Sequence, residues 1–125
     1  MPSDSWKPGR IEQRTADILE AIEAVRGYTA GVVPSDFLRE KMRQDATARQ
    51  LLVIAEACDK IARLEARLGV PNERTLEGMH PEIPWRAIRD MGIRIRHVYG
   101  REDPEVLWET ATGGDLERLR AALEE

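Results

Sequence analysis

From Arg43 to Gly69 the chain reads RQDATARQLLVIAEACDKIARLEARLG, a run with no proline and with apolar residues returning at helical spacing. Leu51, Ile54 or Ala55, Cys58, Ile61 or Ala62, and Leu68 share one side of a helix. Gly69 follows the last of them and Pro71 bars continuation, the pair of residues expected at a helix stop. Some 25 residues of helix make a rod of about 37 Å. A rod with an apolar stripe must bury that stripe against other helices. This one feature directs the chain toward an all-α bundle.

The other segments agree. IEQRTADILEAIEAVRGYT places Ile11, Thr15, Ile18, Ile22, Val25 and Thr29 on one stripe. Gly31 and Pro34 punctuate it, and SDFLREKM can form a short helix capped by Ser35. Residues 70–82, VPNERTLEGMHPE, read as a loop. A strong helix is expected from Pro84 to about Tyr99, ended by Gly100. Asp103 and Pro104 read as N-cap and first residue of a short helix, and GGDLERLRAALEE as a last one with Leu116, Leu119 and Leu123 inward. The expectation is an up-down bundle of four to five main helices with two long ones as its spine. It forms a single domain over residues 10–125 behind a flexible leader, residues 1–9.

Composition excludes several classes. Of 125 residues, 34% are charged, 42% apolar and only 5% aromatic, which favours helix over sheet. The lone cysteine, Cys58, removes any internal disulfide and any cysteine-based zinc site, and its place in an apolar run makes it a core residue. The two histidines, His80 and His97, are too far apart in sequence to offer a zinc signature, so no metal is expected. No phosphate-cradling glycine loop is present, and no cofactor is implied. No apolar run reaches the ~18 residues of a membrane span, and MPSDSWKPGR lacks the apolar core of a signal peptide, so a cytoplasmic protein is expected. The net charge of −4 argues against a protein that coats nucleic acid. Its distribution is uneven, however. Five arginines and one acid lie between Arg86 and Arg101, and eight acids and two arginines between Glu102 and Glu125. Such a split is compatible with a local phosphate site on an acidic protein.

The arginine-rich helix has two faces. Ile88, Met91, Ile95 and Val98 form a core stripe, flanked by Trp85 and Tyr99. His97 points elsewhere, beside Ile93 four residues back, Arg94 three back, and Arg86 eleven back. An isoleucine off the core stripe marks a partner surface, and Ile93 is a candidate dimer contact. Arg86, Arg89, Arg94 and Arg96 are candidates for a phosphate site. Taken alone, the same residues also fit a salt-bridged surface carrying a solvated histidine. His80 reads as a loop residue, and Trp85 and Trp108 as packing anchors.

RQDATARQLLVIAEACDKI, PEIPWRAIRDMGIRIRHVYG and VLWETATGGDLERLRAAL, in this order, resemble the HepT-like branch of the HEPN proteins over residues 11–123. The specific pieces are Gln44-Asp45-Ala46 with Arg49, Ile54–Ala57, Pro84-Trp85-Arg86, and His97-Val98-Tyr99. The resemblance implies a small helical homodimer. It also implies a metal-independent ribonuclease toxin, paired with an MNT-type nucleotidyltransferase antitoxin that transfers AMP to the signature tyrosine. The signature is an arginine, four to six residues, then His-x-Tyr. His97 and Tyr99 match as catalytic residues, and Tyr99 as the modification site. Gly92 stands where the arginine is usual, and Ile93 where a polar residue is usual.

Metal-free RNA cleavage needs a base for the 2′-hydroxyl, an acid for the leaving oxygen and cationic donors on the phosphate. Histidine serves the first two roles, since its ordinary pKa of about 6.5 lies near working pH. A two-fold dimer brings two copies of His97 together. Arginine serves the third, with a planar fork that holds phosphate oxygens bidentately. Losing such a donor costs on the order of 10²–10³ in rate. Two readings follow: a ribonuclease using another arginine or weakened by the loss, or an inactive dimer that binds, or is AMPylated by, a nucleotidyltransferase. Glycine at 92 can also serve close helix approach, as in a tight dimer.

Overall fold

In the computed structural model, residues 8–98 and 103–125 are described. They form seven α-helices: α1 Pro8–Thr29, α2 Pro34–Phe37, α3 Lys41–Arg67, α4 Leu76–Met79, α5 Trp85–Val98, α6 Pro104–Thr112 and α7 Asp115–Leu123. No strand occurs among the described residues, and none of their helices is long and apolar enough to cross a membrane. The expected all-α bundle is what forms.

The spine is the antiparallel pair α1 and α3. Arg10 and Arg14 at the start of α1 lie beside Lys60, Arg63 and Arg67 near the end of α3. Arg43 at the start of α3 donates from Nη1 to the Tyr28 carbonyl at the end of α1, at 2.7 Å. Ile18, Ile22 and Val25 from α1 meet Leu51, Ile54 and Ile61 from α3, all but fully buried. Helix α5 packs on the far side of α3 and also runs antiparallel to it. Gly92 meets Ala55, and Trp85 shares a pocket with Glu65 and Ala66. Helices α6 and α7 close the bundle, with Leu107, Ala111, Leu116 and Leu119 in the core and Trp108 tilted against Phe37, ring centroids 5.2 Å apart.

Some local expectations change. Helix α1 starts at Pro8, inside the segment expected as leader, because the fixed φ of proline suits a first turn; residues 1–7 lie outside the described ones. Helix α2 is capped at Val33 rather than Ser35: Pro34 needs no N–H partner, and Ser35 falls inside the helix. Residues 70–82 are not all loop. A 3₁₀ turn at Asn72–Arg74 leads into α4, whose N-cap Thr75 accepts from the Gly78 N–H at 3.0 Å. Gly69, at φ +72°, supplies the left-handed residue that ends α3 as expected. Asp103 caps α6, accepting from the Glu105 N–H at 2.9 Å.

His80, expected as a loop residue, does sit between elements, at the C-cap of α4, but it is buried. Its Nδ1 lies 3.1 Å from Glu82, its Nε2 3.0 Å from Glu125, and its carbonyl accepts the Trp85 indole N–H at 2.8 Å. It ties the end of α7 to the start of α5, and thereby fixes where α5 begins.

Candidate functional site

Helix α5 carries the residues singled out in the sequence, and its two faces separate as their spacing requires. Ile88, Met91 and Ile95 are buried, and Trp85 with them. Ile93, Arg86, Arg94, Arg96 and His97 are exposed, Ile93 at 51%. The Val98 side chain and Tyr99 lie outside the described residues. His97 therefore stands, exposed, in the last turn of α5, one turn beyond Ile93 and beside Arg96.

The candidate arginines are not equivalent. Arg89 is half-buried and ion-paired with Glu77, whose hydrogen bond pushes the guanidinium pKa further up and holds it charged. Using Arg89 on a phosphate would break that pair. Arg96 reaches Glu56 only at 4.0 Å, with half of its side chain exposed. An exposed pair of that length contributes little, so Arg96 is the more available cation. Arg86 is eleven residues from His97, about 16 Å along the helix axis. Arg94 lies within one turn of it.

Gly92, at the position of the missing arginine, has a structural explanation. It is buried where α5 crosses α3, and a Cβ on it would come within 2.6 Å of the Ala55 Cβ. Neither atom is the end of a flexible chain, so the helices can sit this close only because position 92 is glycine. The close approach is made to the chain's own α3, not to a second copy. An arginine at 92 would carry the same Cβ and would have to push α5 away.

Beside this crossing a groove of about 200 Å³ runs between α3 and α5, lined by Ala55, Asp59, Arg63, Arg89, Ile93 and Arg96, with Gly92 at its base. Sequence reading passed over Arg63. Its signal was the row Lys60, Arg63, Arg67, at i, i+3 and i+7 on the side of α3 away from its apolar stripe. The segment Gln44-Asp45-Ala46 with Arg49 is partly structural. Gln44 is buried and donates to the Phe37 carbonyl at 2.9 Å, fixing the turn from α2 into α3, while Asp45 pairs with Lys41 at 2.8 Å. Cys58 is buried in the core, and that burial pushes its thiol pKa up to about 12, so it is no nucleophile.

Comparison with known proteins gives the same direction. A family model described as ribonuclease HepT-like matches residues 18–125. The "Probable ribonuclease HepT" of Thermococcus cleftensis is 36% identical over 110 residues, covering 83% of this chain and 90% of that one. A Methanocaldococcus jannaschii protein whose name joins a gamma-glutamylcyclotransferase to an RNase is 32% identical over 104 residues, 82% of this chain and 41% of that one. A second protein of the same organism, named as a "Putative RNase", is 26% identical over 93 residues, 74% of this chain and 68% of that one. No solved structure matches. With its helical bundle, its exposed His97 beside arginines and a match over most of its length, the chain belongs to the HepT-like ribonuclease family of the HEPN superfamily.

Proposed function

We propose that this protein is a metal-independent endoribonuclease with His97 as its catalytic base and Arg94 and Arg96 as its phosphate donors. One observation carries the reading: His97 is exposed at the end of α5 with these two arginines within a turn, on the face opposite the buried stripe. In the reaction His97 takes the 2′-hydroxyl proton, and that oxygen attacks the adjacent phosphorus. The bond to the 5′-oxygen breaks, and the leaving oxygen takes a proton from the second copy of His97 in a homodimer. The products are a 2′,3′-cyclic phosphate and a 5′-hydroxyl. Ile93, exposed and apolar, is the dimer contact. The protein acts in the cytoplasm as the toxin of a toxin–antitoxin pair. Its antitoxin is an MNT-type nucleotidyltransferase that AMPylates Tyr99.

The buried Gly92 favours a second reading, in which the dimer has lost catalysis and serves as the binding partner and AMPylation target of the nucleotidyltransferase. Cleavage of labelled RNA separates the two. Under the first, the wild type cuts in the presence of a chelator, leaves cyclic-phosphate ends, and loses activity with His97→Ala. Under the second, the wild type does not cut. Restoring arginine at 92 is not a usable test, since it would disrupt the packing of α5 on α3.

A further inference from the structure

Between the first turns of α1 and the last turns of α3 lies an open cleft of about 640 Å³. Five cations line it: Arg10 and Arg14 from α1, and Lys60, Arg63 and Arg67 from α3. Among the described residues no carboxylate lines it, on a protein of net charge −4. Arg14 and Arg63 each have a neighbour on their own helix, Asp17 at 3.5 Å and Asp59 at 3.1 Å. Such exposed pairs are weak and exchange readily for a phosphate. Arg10, Lys60 and Arg67 have no carboxylate partner among the described residues. Nothing in the fold requires these five charges to converge. Like charges brought together repel, and the arrangement gains only when an anion sits among them.

Arg63 also lines the groove between α3 and α5 that holds Arg96, next in sequence to His97. The two depressions therefore meet at Arg63, although Asp59 also lines the second and Glu56 lies 4.0 Å from Arg96. Gly92 faces Ala55 and the two helices are antiparallel, so position 63 of α3 lies level with the start of α5, about 20 Å along the axis from His97. The row Lys60, Arg63, Arg67 advances by about one 5.4 Å turn per step, close to the spacing of successive phosphates in an extended single strand.

We infer that this cleft is a phosphate-binding track for single-stranded RNA, holding the substrate several nucleotides away from the bond that His97 attacks. The inference rests on the ribonuclease reading for its substrate, but binding tests it apart from cleavage.

The test measures the affinity of labelled single-stranded oligoribonucleotide across a salt series, in the His97→Ala background so that the probe stays intact. The Lys60→Gln/Arg67→Gln variant is compared with a charge-matched control, Arg39→Gln/Arg118→Gln, whose residues are exposed on other faces. The cleft variant is expected to bind about tenfold more weakly, with a salt slope shallower by about 1.4, or about 0.7 per lost phosphate contact. The control keeps both affinity and slope, and circular dichroism is the same for all. Equal losses in variant and control, or no salt-dependent binding by the parent protein, would overturn the inference. So would unchanged RNA binding together with lost binding of a polyglutamate probe, which would make the cleft a docking face for an acidic protein. RNA binding that depends on the cleft, in a wild type that never cuts, would sustain the track and remove the nuclease.

Discussion

Glycine 92 decides more than any other single residue. In an isolated helix, alanine would be better than glycine by about 1 kcal/mol. Here Gly92→Ala brings a Cβ within 2.6 Å of the Ala55 Cβ, and overpacking of that kind costs about 1–3 kcal/mol. The clash is expected to win, so that Gly92→Ala lowers the urea midpoint. Adding Ala55→Gly should recover part of the loss, giving a coupling of about 0.5–3 kcal/mol in the four-protein cycle. Additive effects would mean that the two helices do not meet through these positions. Cys58 offers an independent check on the same region. With its thiol buried and its pKa pushed up to about 12, it should resist a thiol reagent at mildly alkaline pH and react only as fast as the bundle opens. Rapid labelling of the native protein would mean that the interior of α3 is accessible.

At the scale of elements, the short α4 is held by a buried acid. Glu65 of α3 accepts the Leu76 N–H at 2.9 Å, at the first turn of α4. Burial raises the Glu65 pKa, the hydrogen bond from Leu76 lowers it by less, and nearby Glu77 raises it further. The folded chain thus holds this proton more tightly than the unfolded chain. The resulting stability is fully present below the unfolded value of about 4.3 and is lost as pH rises through the raised folded value. Glu65→Gln keeps an acceptor for Leu76 and removes the charge. Its stability should match the wild type at about pH 4 and exceed it increasingly toward neutrality in urea unfolding. A difference independent of pH would show that Glu65 titrates as it does in the unfolded chain.

Elements also show what was legible in the sequence. The apolar stripes of α1, α3 and α5, the Gly69 stop and the Asp103 cap are local signals written at helical spacing, and the structure puts them there, except that Leu68, at the very end of α3, is exposed, and the Val98 side chain lies outside the described residues. The turn of α4 was not legible, because besides its local cap Thr75 it is held by Glu65, which reaches the Leu76 N–H across eleven residues from another helix. The burial of His80 depends on Glu125 and Trp85, which are distant or several residues away. The exposure of His97, Ile93 and the arginines could be read from angular position alone. The commitment of Arg89 to Glu77 could not, nor could the basic cleft, since each joins side chains from different elements.

Across the whole molecule, the proposed function puts stability and activity on opposite sides of one helix. The buried side of α5 holds the bundle together, and the exposed side carries His97, Ile93, Arg86, Arg94 and Arg96. Substitutions on the exposed side should therefore change assembly or chemistry while leaving the fold intact. Ile93→Asp is the sharpest case. Half of the Ile93 surface is open, so replacing it removes little from the core, and surface substitutions of this kind usually shift stability by no more than about 0.5 kcal/mol. If Ile93 joins two copies, the charge would be buried against its own symmetry mate and repelled there. Sedimentation velocity should then show a lighter species than the wild type at the same concentration, with an unchanged helical circular dichroism spectrum. Ribonuclease activity should fall in parallel, because base and acid would no longer come from two copies of His97. A dimer that persists with Ile93→Asp would place the contact elsewhere, and a monomer that still cleaves RNA would require both proton transfers from groups within one chain.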